Sequence, residues 1–189
     1  CASVTTQTAG LPSGSVFPVG VTTNTFLVTD ASGNTASCSF TVTINDTEVP
    51  VITCPANIST SAALGLCDQL VATNNPVFTD NCAVTTLTWT LAGATVGASP
   101  LIGINFVGTQ SFNVGVTTVT YTATDGAGNT AICSYTITIL DTQFPVIVCP
   151  ANIVQANDPG VCDAVVVYVA PVGTDNCPGA VTIQTAGLP

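Results

Sequence analysis

A single internal repeat dominates this sequence. The segment DTEVPVITCPANI, which begins at Asp46, returns as DTQFPVIVCPANI from Asp141, an offset of 141 − 46 = 95 residues. Four blocks share this offset, and the pairs are residues 46–58 with 141–153, 65–68 with 160–163, 79–82 with 174–177, and 29–44 with 124–139. Separate blocks at one offset indicate a tandem array of one kind of module rather than a single domain.

The positions of these blocks predict where the modules begin and end. We expect the C-terminal half of one module at residues 1–46, a complete module at 47–141, and the N-terminal half of another at 142–189. The final QTAGLP also occurs at residues 7–12. This indicates either a window from a longer chain of alternating modules, which we favour, or separate chains that complete one another. A half-module alone would expose an apolar face and unpaired strand edges.

Alternation of apolar and polar residues predicts β-strands, and no segment shows a helical period. The predicted strands are residues 38–44, 49–54, 85–92, 117–124, 133–140 and 163–169. Short β-branched strands separated by Gly, Asn, Asp and Pro turns are typical of a β-sandwich. The expected fold class is all-β, with tandem seven-strand immunoglobulin-like sandwich modules, one complete and two partial.

The modules differ in length at one place. Residues 82–115 of the complete module span 34 positions, whereas the equivalent residues 1–20 span 20. The additional residues lie near residues 91–106 and carry no charge. We interpret them as a longer hairpin; the alternative is a surface for lateral contacts between filaments.

The charge composition excludes several classes of partner. The chain has ten Asp plus Glu and no Lys, Arg or His, for a formal net charge of −10. This excludes nucleic acid and anionic membranes as electrostatic partners. No apolar run approaches the roughly 18 residues of a membrane span, so we expect no membrane insertion. The expected partners are neighbouring modules of the same array or copies of the chain.

The cysteines indicate disulfides. Nine cysteines occur without any His and at repeating positions, which favours disulfides in an extracellular or cell-surface compartment over zinc sites. The complete module holds Cys54, Cys67, Cys82 and Cys133, which allow three pairings. An extended chain would place Cys67 and Cys82 roughly 30 Å apart, too far for a bridge. A bridge from Cys67 to Cys177 of the next module fits better, but a looping chain would restore Cys67 to Cys82.

An ordered series of motifs resembles the hyalin repeat (HYR) domain over essentially the whole chain. The matching residues are CPANI at 54–58, FPVG at 17–20 and the segment 30–38. The complete module departs once, with Phe112 and Asn113 where the other copy has Phe-Pro. The resemblance implies an immunoglobulin-like fold in extracellular, adhesive or matrix-forming proteins, with no enzymatic activity. It also implies that Cys54 pairs with Cys133.

Acidic and amide side chains recur in loops that an immunoglobulin-like chain order brings to one end of a module. In the complete module these are Asp46, Glu48, Asp80, Asn81, Asp125 and Asn129. Further candidates are Asp141, Asp175 and Asn176 at the next junction, Asp68 reaching it from the module below, and the N-terminal pair Asp30 and Asn34. No basic side chain neutralises these groups, and Ca²⁺ takes six to eight oxygen ligands. We therefore predict calcium as the cofactor; the alternative is ordinary turn chemistry.

These observations predict a structural rather than a catalytic protein. Without His, Lys or Arg only carboxylates remain as acid or base, and they recur at turn positions in every module, so we expect no enzyme activity. The predicted function is an extracellular fibre or filament segment stiffened by intermodule calcium and disulfides. The alternative is the repetitive stalk of a cell-surface adhesin, which a distinct tip domain would favour.

Overall fold

The computed structural model describes residues 2–187, and these residues form an all-β protein, as predicted. The strands are β1 (Ser3–Ala9), β2 (Gly20–Asp30), β3 (Thr35–Ile44), β4 (Val51–Thr53), β5 (Ile58–Ser61), β6 (Asp68–Ala72), β7 (Val77–Thr79), β8 (Val84–Gly93), β9 (Gly97–Ala98), β10 (Thr109–Asn113), β11 (Gly115–Asp125) and β12 (Thr130–Leu140). No helix capable of crossing a membrane occurs among the described residues.

The N-terminal residues form a three-stranded antiparallel sheet in the order β1-β2-β3. In this sheet β2 is central, so β1 and β3 are its edges. The buried Asn24 fixes the end of β1, because its Oδ1 accepts hydrogen bonds from the Leu11 N–H (2.8 Å) and the Gln7 Nε2 (3.0 Å). Gly10 has a φ of +85°, and a Cβ there would collide with Asn24. The QTAGLP motif therefore ends the strand against Asn24.

The complete module contains a five-stranded sheet, β5-β12-β11-β8-β9, and two smaller sheets, β10-β6 and β4-β7. The β5 strand adds to β12 in parallel, with Ile58 opposite Ile137. The β10 strand pairs antiparallel with β6. These sheets form the immunoglobulin-like sandwich that the strand pattern predicts.

One face of β11 and β12 supplies most of the core, because alternate residues of a strand point to the same face. The buried residues on these two strands are Thr117, Val119, Tyr121, Ala123, Asp125, Tyr135, Ile137 and Ile139. Phe112 of β10 and Leu87 of β8 are fully buried as well. The Tyr121 hydroxyl accepts a hydrogen bond from the Val107 N–H at 3.1 Å. Burying a large apolar side chain contributes roughly 1.5–3 kcal/mol.

The chain folds into two compact units. The first contains the described residues up to Val51 together with Phe78–Thr85 and Ala123–Ala131. The second contains Ile52–Val77, Thr86–Thr122 and the described residues from Ile132 onward.

The additional residues of the complete module form a hairpin, as predicted. The β9 strand pairs antiparallel with β8, with Thr90 opposite Ala98. Farther along, Ile104 forms a parallel bridge with Leu87. Leu101 and Ile102 are exposed, and the lateral contact surface stays a prediction.

The strand predicted at residues 163–169 does not form. Residues 141–187 contain no extended strand, only an isolated bridge between Val146 and Thr174 with two hydrogen bonds of 2.8 Å. The equivalent strand in the complete module, β6, is held by hydrogen bonds to β10. Residues 163–169 pair with no strand among the described residues. The prediction was wrong because strand formation needs a partner that local alternation does not supply.

Candidate metal centre

The loop that follows β11 is organised by the carboxylate of Asp125, which is only 2% exposed. Its Oδ1 accepts the backbone N–H groups of Ala127 (2.9 Å), Gly128 (2.7 Å) and Asn129 (2.9 Å). Its Oδ2 accepts the Asn129 Nδ2 at 2.8 Å. Gly128 has a φ of +95°, a conformation that glycine adopts without steric cost. The sequence TDGAGN is therefore a rigid carboxylate-bearing loop.

Two further carboxylates approach Asp125 from other parts of the same compact unit. Asp46 lies in the segment after β3, and Asp80 follows β7 directly. The Asp46 Oδ1 accepts the Glu48 N–H at 3.2 Å, and the Asp80 Oδ2 accepts the Cys82 N–H at 2.8 Å. Each carboxylate is thus oriented by a local turn, as is common for Asp.

The three carboxylates converge. Ligand oxygens of Asp46, Asp80 and Asp125 all lie within 4.8 Å of one another. The Asp46 Oδ2 and the Asp80 Oδ1 are buried and have no hydrogen-bond partner. Because the sequence has no Lys, Arg or His, no side-chain cation compensates these charges. Clustered, partly unsatisfied oxygens are the donor set that hard cations prefer.

Hydrogen bonds keep Asp125 ionised despite its burial. Desolvation raises the pKa of the Asp125 carboxyl, but hydrogen bonds from the Asn129 side chain and the three backbone N–H groups outweigh it, and the net pKa lies below its usual value. A hydrogen bond to Asp46, desolvation and the neighbouring carboxylate charges raise the pKa of the Cys82 thiol. The Asp125 carboxylate therefore carries its negative charge, whereas Cys82 stays a neutral thiol.

Two matches to one family model decide the family. The HYR domain matches residues 2–44 and again residues 45–139. The chain belongs to the HYR-domain family. The predicted division at residue 46 lies close to the boundary between the two matches, and the predicted half-module at residues 142–189 stays a prediction.

The chain is similar to parts of longer proteins. Hyalin from Lytechinus variegatus is 34% identical over 167 residues, which cover 86% of this chain and 29% of that protein. Hyalin from Strongylocentrotus purpuratus is 33% identical over 180 residues, which cover 92% of this chain and 14% of that protein. The Rattus norvegicus sushi, von Willebrand factor type A, EGF and pentraxin domain-containing protein 1 is 31% identical over 140 residues, 72% of this chain and 3% of that protein. The chain spans less than a third of each relative.

The other candidate ligands of the complete HYR module are Glu48, Asn81 and Asn129. Glu48 and Asn81 are exposed. The Asn129 Nδ2 donates to the Asp46 carbonyl oxygen at 3.2 Å as well as to Asp125. Asn129 therefore ties the segment after β3 to the loop after β11, and its nitrogen serves as a donor rather than a ligand.

The acidic residues that were predicted to meet at the next junction do not form a cluster. Among residues 2–187, the only group of three close carboxylates is that of Asp46, Asp80 and Asp125. The Asp141 Oδ1 accepts the Gln143 N–H at 3.1 Å, and the Asp68 Oδ2 accepts the Ser111 hydroxyl at 2.7 Å. The Asp68 carboxylate is thus engaged within its own module by β10.

Asp175 and Asn176 have local or main-chain partners instead of a shared centre. The Asp175 Oδ1 accepts the Asn176 N–H, and the Asn176 Nδ2 donates to the Leu66 carbonyl at 2.8 Å. The loop that would supply the third carboxylate, the next copy of TDGAGN, does not occur after Asn176 in these 189 residues. Asp175 and Asn176 are therefore not part of a cluster of three carboxylates among the described residues.

The loop at Asp30 has hydrogen bonds like those of the loop at Asp125, but Asp30 is not part of the carboxylate cluster. The Asp30 Oδ1 accepts the N–H groups of Ser32 (2.9 Å) and Asn34 (2.8 Å), and its Oδ2 accepts the Asn34 Nδ2 at 2.9 Å. It belongs to no group of three close carboxylates in the part of the chain that the structure describes. Asp30 and Asn34 thus form a turn, and the structure gathers no metal cluster around them.

Two disulfides join cysteines within residues 2–187. Cys54 is bonded to Cys133, with Cα atoms 5.6 Å apart, and Cys67 is bonded to Cys177, with Cα atoms 5.0 Å apart. The second bridge joins the complete module to the predicted half-module that follows it. The alternative pairing of Cys67 with Cys82 is absent, and Cys82 is a free thiol. Both bridges fit an extracellular location, where disulfides persist.

Each free cysteine among the described residues is the repeat counterpart of a bonded one. At the 95-residue offset the pairs are Cys38 with Cys133, Cys149 with Cys54, Cys162 with Cys67, and Cys82 with Cys177. Because of this repetition, the sequence analysis predicted Cys82 as one of the disulfide cysteines. Its free thiol beside Asp46 was missed, because only the folded loops bring the two residues together.

Proposed function

We propose that this chain is a segment of an extracellular structural array in which Ca²⁺ binds at the junction before the complete HYR module. The observation that carries this proposal is the convergence of Asp46, Asp80 and Asp125, with two buried oxygens that lack partners. As a member of the HYR family with two disulfides, the chain is of the extracellular, adhesion type.

The chemistry of the cluster favours a hard divalent cation. Three carboxylates at this distance repel one another, which either raises a pKa or draws in a cation. The Asp125 carboxyl instead has a lowered pKa, so its charge persists. Carboxylate oxygens of all three residues would hold the ion, with nearby amide, carbonyl or water oxygens completing the six to eight ligands that Ca²⁺ takes.

A bound ion would stiffen the chain between its modules. Asp46 belongs to the segment that leads from β3 into the complete module, whereas Asp80 and Asp125 belong to loops of that module. An ion shared by all three ties the linker to the module it enters. The bridge from Cys67 to Cys177 ties the other end of the module to the following segment. Calcium and disulfides together support the role of a stiff array.

A second candidate is the stalk of a cell-surface adhesin. The similarity to the sushi, von Willebrand factor type A, EGF and pentraxin domain-containing protein 1, of which this chain matches only 3%, supports it. HYR modules can therefore form a small part of a protein with other kinds of domain. A stalk needs the same stiffness as a fibre, so the calcium test below applies to both.

Thermal unfolding with calcium and with EDTA tests the proposal. Calcium at a hundredfold excess over its dissociation constant would stabilise the folded state by about 2.7 kcal/mol. We expect Tm to rise with calcium and this rise to disappear in Asp80→Asn. No difference in Tm between calcium and EDTA would refute the site.

The repeat provides a matched control. Asp175 occupies the same position in the second TDNC motif as Asp80 does in the first, but it belongs to no carboxylate cluster. Asp175→Asn should leave the calcium-dependent rise in Tm intact. An equal loss of response in both variants would mean that calcium acts through the net charge of −10 rather than through one site.

A further inference from the structure

The turn that connects β5 to β6 is held in place by the complete module. The Leu66 N–H donates to the Ala63 carbonyl oxygen at 2.9 Å, and the Ala63 N–H donates to the Asp68 carbonyl oxygen at 2.8 Å. The Cys67 carbonyl oxygen accepts the Val114 N–H at 3.0 Å, which ties the cysteine to the connection between β10 and β11. The turn and its cysteine therefore have fixed positions in the module.

The Gln143 side chain binds this turn through both ends of its carboxamide. Its Oε1 accepts the Gly65 N–H at 2.8 Å, and its Nε2 donates to the Ala63 carbonyl oxygen at 3.2 Å. The Asp141 Oδ1 accepts the backbone N–H of Gln143 at 3.1 Å and so orients the residue. Gln143 follows shortly after β12, which ends at Leu140. The chain that leaves the module is thus hydrogen-bonded to a turn of the same module.

Asn176 binds the same turn next to the disulfide. Its Nδ2 donates to the Leu66 carbonyl oxygen at 2.8 Å. Leu66 directly precedes Cys67, and Asn176 directly precedes Cys177, so this hydrogen bond aligns the two cysteines. Asn176 and Gln143 therefore supply three hydrogen bonds to the turn, none of which uses a sulfur atom.

The two junctions of the sequence differ at the position of Gln143. At the 95-residue offset, Gln143 corresponds to Glu48. A glutamate at position 143 could still accept the Gly65 N–H, but its carboxylate has no hydrogen to donate to the Ala63 carbonyl oxygen. The two-ended contact with the turn therefore needs the carboxamide of glutamine.

We propose that Gln143 and Asn176 dock the following segment on the turn at residues 63–66 before the disulfide forms, so that the disulfide locks a contact that already exists. Gln143 is thus a positioning residue for the bond between Cys67 and Cys177. Docking raises the effective concentration of one thiol at the other. Cys67 thereby selects a partner that is 110 residues away in the sequence.

The covalent step needs an oxidant, for which a small disulfide such as oxidised glutathione suffices. The Cys67 thiolate attacks one glutathione sulfur and releases one reduced glutathione. The docked Cys177 thiolate then attacks the Cys67 sulfur and releases the second. Two thiols lose two protons and two electrons, and one glutathione disulfide becomes two thiols.

Equilibration of the chain in glutathione buffers tests the positioning role. Gln143→Glu removes one hydrogen bond to the turn, so the equilibrium constant of the Cys67–Cys177 bond should fall by about fivefold, the effect of one hydrogen bond of ordinary strength. Gln143→Ala removes both hydrogen bonds and should lower the constant further. Alkylation, Asp-N digestion and mass spectrometry measure the oxidised fraction, since the peptides of Cys133 and Cys177 report the two bonds separately.

Two comparisons separate positioning from a loss of folding and from added charge. The Cys54–Cys133 bond of the same molecules should keep its equilibrium constant in Gln143→Glu, because it involves none of these contacts. Gln155→Glu adds the same charge to the same segment, but the Gln155 Nε2 donates to the Val165 carbonyl oxygen, so both bonds should be unaffected. Equal losses at both bonds in Gln143→Glu, or the same loss in Gln155→Glu, would overturn the positioning role.

Amide hydrogen exchange tests whether docking precedes the bond. In Cys177→Ser, which cannot form the bridge, the Gly65 amide should exchange at least tenfold more slowly than in the double variant with Gln143→Ala, because Gln143 accepts its hydrogen bond. The Ala62 amide donates to the Leu140 carbonyl oxygen at 2.9 Å and should exchange equally in both. Equal exchange of Gly65 in the two variants would mean that the bridge creates the contact, and would contradict the proposal.

This inference deepens the proposed disulfide-stiffened array and rests on that role for its biological sense. It concerns the junction after the complete module, whereas the proposed calcium site is at the junction before it. With EDTA present throughout, the glutathione and exchange measurements can fail without the calcium site failing, and the reverse also holds.

Discussion

Strands β2–β3 and β11–β12 occupy equivalent positions in two copies of one module and differ in their surroundings. The second pair is covered by other strands, and its inward residues, among them Tyr121 and Ile137, are fully buried. The first pair keeps the same hairpin and the same hydrogen-bonded loop. The hairpin is therefore specified locally, whereas burial depends on a segment that is distant in the sequence.

The loops at the ends of these hairpins repeat the contrast. Asp30 and Asp125 both accept hydrogen bonds from backbone N–H groups and from an Asn four residues later. Only Asp125 is joined by two other carboxylates. The same turn is an ordinary hydrogen-bonded loop at Asp30 and part of the candidate metal centre at Asp125.

The largest difference between the two hairpins should appear on removing a core side chain. Ile139→Ala should destabilise the complete module by roughly 2–5 kcal/mol, the usual range for a buried Ile. Ile44→Ala should cost much less, because Ile44 already contacts solvent. Urea unfolding followed by circular dichroism measures both, and the single Trp89 reports on the complete module. Equal losses would mean that the two faces are equally covered in solution.

The two hairpins also differ in their cysteines, because Cys133 is bonded to Cys54 whereas Cys38 is a free thiol. Cys133→Ser removes the bridge to Cys54 and should lower the free energy of unfolding by about 2–4 kcal/mol. The equivalent Cys38→Ser removes a free thiol and should leave the stability of the dilute single chain unchanged. Loss of stability in Cys38→Ser would show that Cys38 is bonded in solution.

The loop carboxylates should differ in their response to calcium. Asp125→Asn removes a charged oxygen of the cluster and should abolish the rise in Tm on adding calcium. Asp30→Asn changes the same position of the other loop and should preserve that rise. Isothermal calorimetry should likewise show calcium binding that is lost in Asp125→Asn and kept in Asp30→Asn. Calcium binding that survives in Asp125→Asn would show that Asp125 is not a ligand.

The smallest effect concerns the acid titration of Asp30. Hydrogen bonds from the side chain and backbone of Asn34 hold the pKa of the Asp30 carboxyl below its usual value. A depressed folded-state pKa stabilises the fold above the unfolded pKa of about 3.9, and this contribution disappears as the pH falls through the folded-state value.

A carbon NMR titration of Asp30 in two variants measures this. Asn34→Ala should raise the pKa of Asp30 slightly, because it removes the largest lowering cause. Ser32→Ala should not, since Ser32 contributes through its backbone N–H. A pKa unchanged in Asn34→Ala would assign the effect to the backbone of the loop.

The sequence predicted those features that depend on local pattern or on repetition. Alternation identified β3, β8, β11 and β12, whereas the module boundaries taken from the repeat stay a prediction. Chain order also predicted that Asp46, Asp80 and Asp125 meet, because it specifies which loops share one end of a sandwich. Calcium itself stays a prediction.

Features that depend on distant partners were not predictable in this way. The segment at residues 163–169 alternates like a strand but pairs with no strand among the described residues. Asp68 was expected to reach the next junction, yet Ser111 of β10 binds its carboxylate. The exposure of Phe40 likewise depends on which segment covers β3, and no local pattern contains that information.

The bridge between Cys67 and Cys177 alters how the chain would carry a pulling force. The two residues are 110 positions apart in the sequence, so tension applied on either side passes through the sulfur atoms and not through residues 68–176. Fully extended, these residues would span roughly 360 Å, at about 3.3 Å per residue. They cannot be pulled out while the bridge is intact. Most of the complete module lies within that shielded length, and its sheets would keep their shape under loads that straighten the flanking segments.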